Sequence, residues 1–353
     1  MKMLHTADVH LRAYGDERWE TLQELIDVGQ KEGIEILVIS GDLFDGGADA
    51  EGLRPRIRHT FSHTGFKIVL IPGNHDMGAY RSGAWFGEDV VVLNDLRVPF
   101  ACQNVRIWGM PFEPMEGEYL LHELRTLASH LTHDQHNILL YHGELLDAFF
   151  SRSDFGDEGD ERYMPVRLSY FRDLNIDYVL AGHFHSKSNV WQLDNGGYFV
   201  YPGSPLSITR RETGQRKAII LEVGKPPSEF LLDTPHFDDV VVELDPLDDK
   251  RPVDRVKARL EGLHERAKVI LTVDGYVNGR LMGMGEGELV AEIEEIATPR
   301  CVETHYEFRD IQVLLDDDLM KRFMQKLQKT GDNEDKKTRM RDMAIKALMA
   351  SRR

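Results

Sequence analysis

The chain has 353 residues, of which 41% are hydrophobic and 29% charged, and its formal net charge is −17. That length and balance predict a globular protein with a sizeable core, large enough for two domains and a tail. No run of about 18 apolar residues marks a membrane span, and no signal-peptide pattern precedes the first predicted strand, so a cytoplasmic protein is expected. Cys102 and Cys301 match neither a metal spacing nor a disulfide framework and read as small buried hydrophobes. Strong acidity argues against a chain that grips nucleic acid unaided, because such affinity rests on Lys and Arg. The charge is uneven, however: residues 319–353 carry +7, which leaves −24 for the rest.

Taken in order, residues 1–225 alternate strands and helices. A strand over 2–6 leads into Asp8-Val9-His10, and a helix over 20–31 places Leu22, Leu25, Ile26 and Gly29 on one face. A strand over 34–40 precedes Gly41-Asp42-Leu43-Phe44-Asp45, and one over 66–71 precedes Gly73-Asn74-His75-Asp76. Short strands over 90–93 and 105–108 follow, then Trp108-Gly109-Met110-Pro111 and a helix over 118–131 with a Leu120, Leu121, Leu124, Leu127, Leu131 stripe. A strand over 137–140 precedes Tyr141-His142-Gly143, and one over 176–181 precedes Gly182-His183-Phe184-His185. Between these two motifs, the charged stretch 151–162, with Gly156 and Gly159, is expected as a loop overhanging the site. A strand over 218–223 closes this part.

Pro226, Pro227 and Pro235 then mark a connector. Beyond it the pattern predicts a strand over 240–244, a helix over 253–267, a strand over 268–273 and a helix over 288–297, followed by 306–315. The tail carries two apolar stripes at helical spacing: Leu319, Met320, Phe323, Met324, Leu327, and then Met340, Met343, Ala344, Ala347, Leu348. Thr330-Gly331-Asp332-Asn333 stops one helix and starts the next. Met-rich stripes on basic helices suit docking to another helix; folding back on the parent body is the alternative.

All five motifs put metal-binding side chains just after an apolar run, and ligands at the carboxyl ends of successive parallel strands are expected to meet at one sheet edge. Imidazoles with carboxylates, and no thiolates, suit divalent Mn, Fe or Zn rather than Ca or Mg. Seven candidates, Asp8, His10, Asp42, Asn74, His142, His183 and His185, are too many for one tetrahedral ion, which points to two ions sharing a bridge. Two metals roughly 3.5–4 Å apart are the usual arrangement for hydrolysing phosphate esters.

The series Asp-x-His, Gly-Asp, Gly-Asn-His-Asp, His and Gly-His-x-His resembles the calcineurin-like metallophosphoesterases. The resemblance implies an α/β sandwich core, with Asp8, His10, Asp42 and His185 at one metal, Asp42 bridging, and Asn74, His142 and His183 at the other. It implies that His75 faces the substrate as proton donor or transition-state stabiliser, oriented by Asp76. Asp76 also suits a helix N-cap.

A narrower likeness is to SbcD-like nuclease subunits, carried by residues 4–11, by residues 177–185, and by Tyr201-Pro202-Gly203-Ser204-Pro205 with Arg210, Glu212 and Lys217. It covers roughly residues 1–225. Arg12 stands where those enzymes often carry glycine, and Pro55 and Pro72 stand far apart where paired prolines would be expected. The likeness implies a nuclease domain over 1–225, a small α+β capping domain over 236–316 and a helical basic tail over 317–353. It further implies two Mn ions, DNA as substrate, an SMC-like ATPase docked on the C-terminal helices, and a homodimer.

The expected function is therefore two-metal DNA phosphodiesterase activity, exo- or endonucleolytic, in end processing. The alternative is a phosphoesterase of the same fold acting on a phosphoprotein, a nucleotide or another small ester. A non-enzymatic scaffold is disfavoured because every ligand position is filled. Arg12, Tyr14, Arg210 and Arg211 are candidates to face a DNA backbone.

Overall fold

The computed structural model describes all residues except 82, 116, 149–162, 249, 352 and 353. The expected overhanging loop over 151–162 lies outside the described residues. The chain divides into two compact units, Met1–Phe237 and Asp238–Arg353.

In the first unit, two six-stranded sheets carry the framework. One contains β1 (Lys2–Thr6), β2 (Ile36–Ser40), β3 (Lys67–Ile71), β4 (Val90–Val92), β11 (Lys217–Glu222) and β12 (Ser228–Leu231), in the order β12-β11-β1-β2-β3-β4. The other contains β5 (Phe100–Cys102), β6 (Val105–Met110), β7 (His136–His142), β8 (Tyr178–Gly182), β9 (Asn189–Gln192) and β10 (Tyr198–Tyr201), in the order β5-β6-β7-β8-β10-β9. β1 to β4 run parallel, as do β6, β7, β8 and β10.

Strand alternation explains why both faces are apolar. Along β2, Ile36 and Val38 enter one core cluster while Leu37 and Ile39 enter another. The first cluster lies between the sheets and joins Met3, Val69, Ile107, Ile138, Leu140, Leu180 and Ile219. Outside it, α1 (Glu17–Glu32) and α2 (Ala50–Phe61) bury Leu22, Leu25, Ile57 and Phe61 against the first sheet. On the far side of the second sheet, α3 (Glu118–Ala128) buries Leu120, Leu124 and Leu127. The unit is thus an α/β sandwich, helices outside and two sheets within.

Several expectations are corrected. The motif-bearing strands belong to two packed sheets rather than one. The connector predicted after residue 225 contains β12, an edge strand hydrogen-bonded to β11. No helix is expected over 50–61, where α2 buries Leu53, Ile57 and Phe61 and contains Pro55. Its Asp49 N-cap, accepting from the Gly52 amide, starts the helix all the same.

The second unit is α+β. β13 (His236–Leu244), β14 (Ala267–Val277) and β15 (Cys301–Tyr306) form a sheet in that order, with β16 (Arg309–Asp310) pairing β14. β14 alternates buried and partly exposed residues along its whole length, and its buried face packs on α4 (Pro252–Glu261) and α6 (Glu286–Ala297). The helix predicted over 253–267 therefore ends at Glu261, because Gly262 closes it and Ala267 already belongs to β14. A one-turn helix, α5 (Gly279–Met282), stands between β14 and α6.

The tail helices α8 (Asp318–Gln328) and α9 (Glu334–Ser351) pack with α7 (Gln312–Leu315) around Ile311, Leu314, Met320, Ile345 and Met349. The buried edge of α9 is Ile345 and Met349, with Ala344 and Leu348 of the predicted stripe packed beside them, whereas Met343 is 72% exposed. No described helix is long and apolar enough to cross a membrane.

Ile138 is fully buried between the sheets. Ile138→Ala should lower stability by about 2–5 kcal/mol, whereas Val98→Ala, at a residue 62% exposed, should change it by less than about 0.5 kcal/mol. Equilibrium urea unfolding of both variants checks the contrast.

Candidate metal centre

The five motifs converge where the carboxyl ends of β1, β2 and β3 meet those of β7 and β8. The turns after the strands are zipped together by backbone hydrogen bonds, Asp8 N to Gly41 O (3.2 Å), His10 N to Asp42 O (3.0 Å) and Leu11 N to Leu43 O (2.8 Å). Across the two sheets, the His183 amide donates to both Asp8 carboxylate oxygens (3.1 and 3.0 Å), and within the first sheet the His75 amide donates to Asp42 Oδ1 (3.0 Å). Asp8, His10, Asp42 and His183 all have positive φ, at 56°, 51°, 51° and 95°. Such conformations cost non-glycine residues about 1–3 kcal/mol each and persist where the surroundings demand them, as at functional sites.

Donor atoms converge in three overlapping groups, each within 4.8 Å: Asp8 with His10 and His185, His10 with Asp42 and His75, and Asp8 with Asp42 and His142. His10 Nε2 lies 3.3 Å from His185 Nε2 and 3.7 Å from Asp42 Oδ2. His142 Nε2 lies 3.3 Å from Asp42 Oδ2 and 2.9 Å from Asn74 Oδ1. Asp8, His10 and Asp42 are each shared by two groups, and of these the Asp42 carboxylate lies nearest to both His10 and His142 Nε2. His183 falls outside the three groups; its ring packs beside His142, 5.4 Å between centroids. His75, expected to face substrate rather than to ligate, brings a ring nitrogen within range of His10 and Asp42.

The electrostatics are those of a buried anionic pocket. Asp8, Asp42 and His142 have no solvent exposure, and among the described residues neither aspartate pairs with Lys or Arg. Burial pushes the Asp8 carboxyl up to about 6, against the opposing pull of His185 and His142. Burial would raise Asp42 too, but His142 and His10 hold it well below the usual carboxylate range. Burial would lower His142, yet the Asp42 and Asp8 carboxylates raise it to about 10. His10 is pushed by burial down to about 3 and is neutral, as a ligand must be.

These residues fit a pair of divalent cations. Carboxylates with no lysine or arginine partner among the described residues share one buried pocket with imidazole nitrogens, so their charge is balanced by imidazole protons or by bound cations. The pocket is also shaped for close approach. A Cβ on Gly41 would overlap the His142 ring, and one on Gly73 would overlap the Asp42 carboxylate.

Outer acceptors aim the imidazoles. His142 donates from Nδ1 to Ser40 O (2.8 Å), turning Nε2 inward. Ser40 Oγ donates to Leu180 O (2.8 Å) in the other sheet, so His5 Nε2, 3.0 Å away, must donate to that hydroxyl. Asp76 accepts from the amides of Gly73 (2.8 Å) and Phe44 (3.1 Å) and from Tyr80 Oη (3.1 Å), bracing the turn that carries Asn74 and His75. Asp76 heads a single 3-10 turn, Met77–Tyr80, but its carboxylate does not cap that turn. His5 and Ser40 were not singled out from sequence as site residues, since each reads as an ordinary position within an apolar strand.

Of the DNA-contact candidates, Arg12 pairs with Asp45 (3.0 Å). The Tyr14 ring carries the Arg56 guanidinium at 4.6 Å. Arg210 and Arg211 are both exposed.

The chain belongs to the calcineurin-like phosphoesterase family, whose sequence signature matches residues 1–187. It is 24% identical over 233 residues to the DNA double-strand break repair protein Mre11 of Saccharolobus solfataricus, covering 60% of this chain and 56% of that protein. It is 27% identical over 270 residues to the SbcD component of the nuclease SbcCD of Bacillus subtilis, covering 65% and 68% respectively. The uncharacterized metallophosphoesterase YhaO of B. subtilis is 22% identical over 249 residues, covering 63% and 57%. The matched region spans little more than half the length of the Mre11 protein. The fold is that of the metallophosphoesterase α/β sandwich, and a dimetal centre belongs to that fold.

Asp45 anchors the rim through Arg18 Nη1 (2.7 Å) and Arg12, and Arg18 also donates to His10 O. Burial would raise the Asp45 carboxyl, but the two arginines and the Gly47 amide hold it at about 2, below its ordinary 3.8. A depressed folded value means the contribution is full above about pH 4 and fades as pH falls toward 2. In chelator-treated protein, the stability gap between wild type and Asp45→Asn should be flat above pH 5 and narrow on acidification, as read by thermal melts across pH. A gap that widens in acid would contradict the assignment.

Proposed function

We propose that this protein is a two-metal DNA phosphodiesterase of the SbcD-like kind, acting on DNA ends together with an SMC-like ATPase. The observation that carries the hydrolytic part is the convergence of Asp8, His10, Asp42, His142 and His185 donor atoms in three overlapping groups at the meeting of two sheets. The DNA part is supported by similarity to Mre11 and to the SbcD component of the nuclease SbcCD, and by the basic tail.

In this reading Asp8, His10, Asp42 and His185 hold one cation, and Asn74, His142 and His183 join Asp42 at the other, with Mn as the physiological metal. When bound, such a pair supplies a nucleophile at neutral pH and neutralises charge on the phosphoryl group. His75, half-buried at the pocket mouth, donates a proton to the leaving oxygen, and Asp76 keeps its turn in place. Arg12, Tyr14, Arg210 and Arg211 meet the DNA backbone. Residues 1–225 act as the nuclease domain, 236–316 as the cap and 317–353 as the docking segment for the ATPase, in a homodimer. Since the chain as a whole is acidic, the ATPase contributes much of the grip on DNA.

A second reading, phosphomonoesterase or small-diesterase activity, shares the same metal centre. End-labelled duplex DNA incubated with Mn should be shortened by wild type, with a loss of about 10²–10⁴-fold in rate for His75→Ala and complete loss with chelator. Cleavage of a chromogenic monophosphate with DNA left intact, even with the ATPase present, would favour the second reading.

A further inference from the structure

Three imidazoles at the centre share one orientation. His10, His142 and His185 each bring Nε2 to the cluster, and each turns Nδ1 toward an oxygen outside it. For His142 that oxygen is Ser40 O at 2.8 Å; for His10 it is Asp45 Oδ2 at 3.9 Å; for His185 it is Glu212 Oε1 at 3.6 Å. Glu212 differs from the other two because it is a buried carboxylate, 1% exposed, on a loop distant in sequence from the ligand it faces.

The loop is built around that carboxylate. Oε2 accepts from the Ile208 amide (2.7 Å) and Ser204 Oγ (3.1 Å), while Oε1 accepts from the Thr209 amide (3.3 Å) and Thr209 Oγ1 (3.1 Å). Four residues on, Arg216 is 4% exposed and closes the same unit. Its guanidinium donates to Ser204 O (3.0 Å), to Ser186 O (3.1 Å) and to the carbonyl of His185. One buried acid therefore faces the His185 ring while one buried base holds the His185 backbone. Burying both charges is unfavourable unless each is hydrogen-bonded, as both are by several partners.

We propose that Glu212 is the positioning residue for His185: it fixes the Nδ1–H tautomer so that Nε2 serves the metal, with Arg216 clamping the ligand's backbone. The inference rests on the dimetal reading above. It also gives the stretch 204–216 a function, since the exposed Arg210 and Arg211 sit on the loop that Glu212 ties together, and the loop and the ligand share one carboxylate.

Metal binding tests this without reference to turnover. Titration calorimetry of Mn into chelator-stripped wild type, Glu212→Gln and Glu212→Asp should show one of two sites weakened about 10–100-fold in the Gln variant, the range for outer partners of metal-bound histidines. The Asp variant, which keeps the charge, should recover part of that loss. Gln affinity equal to wild type in folded protein would overturn the positioning role and leave the dimetal reading standing. Wild type that takes up no metal would overturn both. If Glu212→Gln does not fold, long-range proton–nitrogen NMR of zinc-loaded wild type decides: the His185 ring protonated at Nδ1 supports the proposal, and protonation at Nε2 refutes it.

Discussion

Two aspartates, Asp8 and Asp42, lie fully buried with donor atoms within 4.8 Å of a common histidine, and among the described residues no lysine or arginine pairs with either. In a medium of low polarity such charges must be neutralised by protons or by cations. The opposed shifts around them express that tension, Asp8 and Asp76 drawn up, Asp42 held down and His142 raised by its carboxylate neighbours. The local architecture serves the same end. Ligands adopt left-handed backbone conformations, glycines stand where a Cβ would collide with a ligand, and His142 donates from its outer nitrogen to the Ser40 carbonyl. A cation pair resolves the tension, and the family to which the chain belongs uses a dimetal centre.

The sandwich makes this arrangement possible. One sheet supplies Asp8, His10, Asp42 and Asn74 and the other supplies His142, His183 and His185, so neither holds the set alone. Leu180 O in the second sheet accepts from Ser40 in the first, and His142 in the second donates to the Ser40 carbonyl. These bonds cross directly beneath the pocket and tie its two halves to one another. The apolar layer between the sheets then sets the spacing of the ligands, so packing within the core and geometry at the centre are linked.

Much of this was legible in the sequence, because metal-binding residues after apolar runs mark strand ends without knowledge of their neighbours. Strands such as β1 and β3 carry apolar residues bounded by motif turns and were readable to within a residue. What local pattern could not carry was pairing. Whether successive strands share one sheet or two depends on contacts such as Val38 against Leu180's layer, which have no periodic signature. α2 escaped notice because its outward side is arginine-rich and Pro55 interrupts it, while its three buried residues are too few to advertise a stripe. The face of α9 was legible only in part, at Ala344 and Leu348, because Met343 and Ile345 are similarly apolar and only packing against Leu314 and Met320 separates them. Glu212 stood in a recognisable stretch, but its partnership with His185 bridges 27 positions and is visible only in three dimensions.

Crystals grown with Mn, with anomalous diffraction recorded at the metal's absorption edge, would test the account most directly. It predicts two anomalous peaks per chain roughly 3.5–4 Å apart, both within bonding distance of Asp42, one beside His10 and His185 and the other beside Asn74 and His142. A single peak, or peaks remote from Asp42, would contradict it.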